Sequence, residues 1–197
     1  MKLIAITGGI GSGKSVVARM LQVMGYQVYD CDSRAKALMT GDADVKQQLI
    51  NAFGEETFLA DGSINRDHLS AAAFGNSQAL LRLNAIVHPA TARDMLNWAK
   101  CQAADGACIA FVETALLRTS GLDRLVDAVW HVTAPVEVRI ARVMARNGLT
   151  AQQVRARIDA QAVDEAIATG EAIIVNDALQ PVLPQVLQLA RNCIDMS

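Results

Sequence analysis

Gly8-Gly9-Ile10-Gly11-Ser12-Gly13-Lys14-Ser15 decides the fold, because of what stands on either side of it. Before it, Lys2 to Thr7 carries Leu3, Ile4, Ala5 and Ile6, apolar at consecutive positions as a central parallel strand requires. After it, Val17, Met20, Leu21 and Met24 recur at three- and four-residue spacing, which predicts a helix over Lys14 to Met24 closed by Gly25. The octet fits G-x-x-x-x-G-K-S/T in full and lies between strand and helix, the context in which that motif binds phosphate. Glycines let the backbone wrap closely around an anion, so that successive N–H groups and a helix N-terminus point at one phosphate. Lys14 adds a point charge on the β- and γ-phosphates, and Ser15 offers a hydroxyl to Mg²⁺ bridging them.

Outward from the loop, Tyr26 to Tyr29 reads as a second strand, followed by Asp30 and Asp32 and a helix from about Ser33 to Met39. The pattern then turns helical between about 42 and 104, interrupted by the segment Gly54 to Gly62 and by Pro89, which is expected to start a new helix. Strands return at Ala107 to Val112, Ala128 to Thr133 and Ala172 to Val175, separated by helical periodicity, and Pro181 to Pro184 introduces a last helix. The expected fold is α/β: a phosphate-loop NTPase-type parallel sheet flanked by helices. One domain is expected over 1–197, with a helical substrate-binding insertion at about 42–104 and a lid at about 136–165.

Composition narrows the function classes. Hydrophobic residues make up 52% of the 197 and charged residues 19%, enough apolar surface for a folded core. A net charge of −2 supplies no broad cationic field, so nucleic acid and anionic membranes are not expected partners and phosphate recognition must be local. The longest apolar runs fall far short of the ~20 residues of a membrane-spanning helix. The N-terminus lacks a secretory h-region, so a cytoplasmic location is expected. Cys31, Cys101, Cys108 and Cys193 lack C-x-x-C spacing and read as small buried thiols; no His, Cys and carboxylate cluster has zinc-ligand spacing.

The chemistry attached to the loop follows from what accompanies it. Neither D-x-x-G nor N-K-x-D occurs, which disfavours a GTPase switch, and Glu113 is the one acidic residue at the end of the run Ile109 to Val112. A small-molecule kinase fits better. It needs a carboxylate at the carboxyl edge of the sheet to accept the acceptor's hydroxyl proton, and Asp30 and Asp32 both qualify, although Asp32 also suits the cap of the helix at Ser33. It also needs arginines that close over the transferring group. Arg139, Arg142 and Arg146 fall on one helical face beside the apolar positions Val136, Ile140 and Val143, and Arg155 and Arg157 follow, as in a mobile lid. The runner-up is another phosphate-loop kinase acting on a nucleoside, nucleotide or small alcohol, and from another class a nucleotide-dependent regulatory or binding module without transfer chemistry is the alternative. No obligate protein partner is expected.

Taken together, these segments resemble the dephospho-CoA kinase family nearly end to end. Ile6-Thr7 with the octet resembles that family's phosphate loop, Val16 standing where it has Thr, and Asp30-Cys31-Asp32 resembles its D-x-D, in which the second aspartate is the general base. Phe53-Gly54, Asp61-Gly62, Arg66 and Leu69 resemble its F-G and D-G-x-I/L-x-R-x-x-L segments; Leu83-Asn84 with His88-Pro89 resemble its L-N-x-I/L-x-H-P. Arg142 and Arg146, then Gly148, Arg157-Ile158 and Gln161, are similar to its lid pattern. Two departures stand out: Ala115-Leu116-Leu117-Arg118-Thr119 replaces P-L-L-F/Y-E, losing the acidic residue at 119, and Glu171 replaces an Asp. The resemblance implies transfer of the ATP γ-phosphate to the ribose 3′-hydroxyl of dephospho-CoA with Mg²⁺. It implies catalytic roles for Asp32, Lys14, Arg142 and Arg146, nucleotide contacts from Gly11, Ser12, Gly13, Lys14, Ser15, Val16 and Asn176, and dephospho-CoA contacts from Asp32, Arg66 and His88. Asn176 would lie near adenine, and Ser15 would ligate the metal.

Overall fold

The computed structural model describes residues 1–73 and 76–195. Among them five strands form one parallel sheet: β1 (Lys2–Thr7), β2 (Gln27–Asp30), β3 (Ile109–Glu113), β4 (Ala128–Thr133) and β5 (Ala172–Val175), in the order β2-β3-β1-β4-β5. The chain leaves β1 toward β2 on one side and leaves β4 toward β5 on the other. Connections that diverge from neighbouring strands open a crevice at their carboxyl ends, the usual ligand position in such sheets.

Contacts divide the chain into two compact units, Met1–Asp30 with Ala99–Ser197, and Cys31–Trp98. The first holds the sheet, α1 (Lys14–Val23), α6 (Val136–Asn147), α7 (Ala151–Ala160), the short α8 (Ala162–Glu165) and α9 (Val182–Asp195). Its core joins Ile4, Ile6, Phe111, Trp130, Val132 and Ile174 of the strands to Val17 and Leu21 of α1 and Val186 of α9. Central strands flanked by helices bury both faces, which is why β1 and β3 read as continuous apolar runs. A separate small core unites α6 and α7: Ile140, Val143 and Val154 are buried, and Ile10 packs against them.

The second unit contains α2 (Cys31–Gly41), α3 (Ala43–Phe53), α4 (Arg66–Ala73) and most of α5 (Ser77–Ala104), around Val45, Leu49 and Ala90. It begins at Cys31, where the sequence pattern places the insertion at about 42. Three expectations are corrected here. Cys31 and Cys193 are buried thiols, but Cys101, near the end of α5, and Cys108, just ahead of β3, stand outside the core clusters and are exposed. Helix α2 starts at Cys31 and not near Ser33, so Asp32 lies in its first turn and not at its cap. Pro89 starts no helix; it lies inside α5. Proline removes one backbone donor from the ladder, but buried Ala90 and Thr91 carry the helix on, and the Thr91 hydroxyl donates to the Val87 carbonyl at 2.9 Å. Tertiary burial outweighs the local signal.

Candidate active site

The phosphate loop leaves β1 at Thr7 and enters α1 at Lys14, with Gly13 as a left-handed N-cap at φ 99° and Gly11 at φ 80°. Only glycine adopts such angles without strain. Side chains then take every carbonyl from Gly8 to Ser12. Lys14 Nζ donates to Gly8 at 2.7 Å and Gly9 at 3.3 Å; Arg139 Nε to Ile10 at 2.9 Å; Arg142 Nη1 to Gly11 at 3.4 Å; Asn176 Nδ2 to Ser12 at 2.8 Å. With the carbonyl dipoles engaged by four donors, the opposite, N–H side of the loop suits an anion. A Cβ on Gly9 would meet Glu165 Oε1 at 1.9 Å and Arg139 Nη2 at 2.1 Å, and one on Gly13 would meet Asn176 Nδ2 at 2.1 Å.

Of the residues expected to act together, Arg142 and Asn176 are brought to the loop and to each other, Arg142 Nη2 donating to Asn176 Oδ1 at 3.1 Å. Arg146 is exposed and bonds its neighbour, Nε to Asn147 Oδ1 at 2.8 Å; Arg155 pairs with exposed Glu137 at 2.9 Å. Arg139, expected on one face with Arg142 and Arg146, departs from them: it is 6% exposed and forks onto Glu165. Helical spacing shows which side a residue occupies but not which distant carboxylate covers it.

The two departures in sequence meet in the structure. Arg118 pairs with Glu171, whose other oxygen lies 3.5 Å from His131 Nδ1. Where an acidic residue is expected at 119, buried Asp164 supplies the carboxylate instead: Oδ1 accepts from the Arg118 and Thr119 N–H groups at 2.7 and 2.9 Å, and Oδ2 from the Thr119 hydroxyl at 2.6 Å. Burial pushes the His131 imidazole below its usual value, with Glu171 acting in the opposite direction and Arg118 in the same one. Nothing in the sequence pointed to Asp164 or Glu165, because their partners lie far away along the chain.

At the carboxyl edge of the sheet, Asp30 is in register with Glu113, which is itself in register with Ile6. Within the helical unit Asp32 is exposed in the first turn of α2, and Arg34 on the same helix forms a two-pronged pair with Asp94 of α5, both bonds 2.8 Å, which the sequence pattern did not reveal. Arg66 opens α4 and lines a cavity of about 540 Å³ with Lys36, Thr40, Ser63 and Ser70; His88 is half-buried within α5. Ser15 and Val16 are exposed in the first turn of α1, Gly11, Gly13 and Lys14 are half-buried, and Ser12 is buried. Among the described residues no cluster of three or more His, Cys, Asp or Glu could hold a metal alone. Ser15, a hard oxygen donor at the loop, fits a divalent ion whose other ligands are phosphates and water.

The dephospho-CoA kinase family model matches residues 2–181 of the chain. The chain belongs to the dephospho-CoA kinase family. A dephospho-CoA kinase of Porphyromonas gingivalis is 38% identical over 192 residues, covering 96% of this chain and 93% of its own. That of Salinibacter ruber is 40% identical over 168 residues, 85% and 84% of the two chains. A crystal structure from Thermus thermophilus superposes with a TM-score of 0.78 at 30% identity, covering 99% of this chain and 97% of that one. A dephospho-CoA kinase of Campylobacter jejuni, at 23% identity and TM-score 0.69 over 100% and 98% of the chains, shares the fold. Dephospho-CoA kinases phosphorylate dephospho-CoA with ATP in the last step of coenzyme A synthesis, and this chain is a phosphotransferase of that family. As ATP-using kinases they work with a divalent metal. No helix among the described residues is long and apolar enough to cross a membrane.

Proposed function

We propose that the chain transfers the γ-phosphate of ATP to the ribose 3′-hydroxyl of dephospho-CoA. The observation that carries this reading is the phosphate loop whose carbonyls, Gly8 to Ser12, are all engaged by side chains, at the carboxyl end of β1. Gly11, Ser12, Gly13, Lys14, Ser15 and Val16 hold the nucleotide phosphates, Lys14 swinging from the Gly8 carbonyl onto the anion. Asn176, bonded to Ser12 and Arg142, lies on the adenine side. Asp32 accepts the 3′-hydroxyl proton as the new P–O bond forms and the bond to the β-phosphate oxygen breaks, releasing ADP. Arg142 and Arg146 stabilise the transferring group, with 136–165 as the lid that excludes water. Arg66 and His88, in the helical unit, bind dephospho-CoA, the pocket beside Arg66 and Lys36 suiting its anionic groups. Ser15 would hold Mg²⁺, which when bound neutralises charge on the β- and γ-phosphates. The chain thus works as one kinase domain carrying a helical insertion, and a cytoplasmic location belongs to the same reading.

Coupled ADP release with dephospho-CoA, adenosine, AMP and a small alcohol as acceptors tests the proposal. Release stimulated by dephospho-CoA alone is the expected outcome. Stimulation by another acceptor in its place refutes the substrate, and release unaffected by any acceptor refutes transfer.

A further inference from the structure

Ile10 sits in the middle of the phosphate loop, and each of its chemical groups ends on the segment 136–165. Its side chain packs with Ile140, Val143 and Val154. Its N–H donates to Gln161 Oε1 at 2.8 Å, and its carbonyl accepts from Arg139 Nε at 2.9 Å. The two remaining guanidinium nitrogens of Arg139 fork onto Glu165, Nη1 to Oε2 at 2.7 Å and Nη2 to Oε1 at 2.5 Å. The Arg139 side chain is 7% exposed and that of Glu165 is 21% exposed.

This arrangement differs from an ordinary buried ion pair. The fork onto Glu165 uses two of the five guanidinium N–H donors, and a third, on Nε, is directed to a carbonyl of the phosphate loop. An N–H turned to Gln161 cannot also turn to a phosphate, so the two contacts fix the plane of both peptides flanking the Ile10 Cα. The left-handed turn at Gly11 begins from that fixed point, and the directions of the following N–H groups depend on it. Groups aimed at an anion in advance bind it without reorganisation, which is how a residue that never touches ATP acts on its affinity.

We propose that Arg139 and Gln161 are positioning residues for ATP: together they clamp both polar atoms of Ile10, with Glu165 holding the Arg139 guanidinium in the orientation the clamp requires. The inference rests on the phosphate-loop reading of the site and adds residues that neither the motif nor the expected arginine pair includes.

The test is steady-state kinetics with ATP and dephospho-CoA varied separately, with melting temperatures alongside. Gln161→Ala removes one jaw from a half-buried position and is expected to raise KM for ATP about fivefold or more, leaving KM for dephospho-CoA within about twofold. Arg139→Lys keeps the charge and loses the fork, so a purely electrostatic role predicts native behaviour and the clamp predicts a rise in KM for ATP of about tenfold. Because both residues hold one peptide segment, the double variant should stay within about threefold of the worse single variant, well short of the product of the two. The proposal is overturned if Gln161→Ala leaves KM for ATP within twofold of native, if KM for dephospho-CoA rises in step, or if the two effects multiply. Should Arg139→Lys fail to fold, Gln161→Ala decides alone. Lys14→Ala, assayed in parallel, separates the two levels: an active Lys14→Ala enzyme removes the phosphate-loop reading itself, whereas an inactive one beside a native Gln161→Ala enzyme removes only the clamp.

Discussion

Asp164 gives the most direct test of how α8 is held. Its side chain, in a residue 2% exposed, accepts from two backbone donors and one hydroxyl: the Arg118 and Thr119 N–H groups and Thr119 Oγ1. Hydrogen bonds to a charged group contribute about 1.5–3 kcal/mol each, so the three sum to roughly 4–9 kcal/mol before compensation. Removing the carboxylate also relieves its own dehydration, and the Thr119 hydroxyl can rotate toward another acceptor, which brings the net effect of Asp164→Ala to about 3–4 kcal/mol. For a chain of this size each kcal/mol lowers Tm by about 2–4 °C, so a loss near 10 °C is expected by calorimetry at pH 7. Asp164→Asn keeps an oxygen for the two N–H groups and surrenders the charge, so about 1–2 kcal/mol is expected, with a correspondingly smaller fall in Tm. Amide exchange locates the effect, because opening should appear first at Arg118 and Thr119. Native protection of both amides in Asp164→Ala, or a Tm within about 3 °C of native, would refute the reasoning.

Lys14→Ala should abolish turnover, with a normal circular dichroism spectrum and a Tm close to native, since its bonds to the Gly8 and Gly9 carbonyls lie in the loop and outside the hydrophobic core. With Asp32 as the proposed proton acceptor, Asp32→Asn should lower turnover about a hundredfold or more in the ADP-release assay, and Asp30→Asn less. Its effect on stability should be about 0.5 kcal/mol, the value of a first-turn acid at a helix N-terminus. Arg142→Ala, which loses contacts to Gly11 and Asn176, should reduce kcat/KM for ATP more than Arg146→Ala; the reverse order in the same assay would move the lid's contact one turn along α6. His131 is held neutral by burial, so the unfolded chain binds its proton more readily than the folded one. Its contribution to stability is therefore present above the unfolded pKa of about 6.5 and is lost as pH falls below it. Thermal melts between pH 5 and 8 should show a slope that His131→Asn flattens, and parallel curves would count against this assignment.

Periodicity and punctuation made the sheet legible. Strands β1, β4 and β5 fall where apolar runs end against turn residues, and the glycine octet located the loop between strand and helix. Errors of a residue or two at β2 and α2 arise because Cys31, a buried residue directly after the strand, carries the chain into the helix without a turn or a capping residue to mark the change. Pro89 misled for the opposite reason: a strong local breaker was overridden by packing on either side. Loop contacts by Asn176 and Arg142 were reachable through resemblance to a family pattern. Those of Arg139 were not, since a cation on a helix looks alike whether water or Glu165 faces it. The same holds for Arg118, whose partner Glu171 looked like an unrelated conservative change.

The crowding around Gly9 gives the doubled glycine of the N-terminal signature a meaning of its own. Gly9 lies outside the glycines with positive φ, so its backbone asks for no special freedom. A methyl group there would have to displace the carboxylate of Glu165 and the guanidinium of Arg139 from each other. The second letter of the signature is therefore tied to a distant ion pair, and positions 9, 139 and 165 are expected to vary together. An octet transplanted into another phosphate-binding protein would bring the loop's bends without this neighbour. Conversely, a homologue with a bulkier residue at 9 should have exchanged the pair as well, a correlation that a collection of related sequences would display without any structure at all.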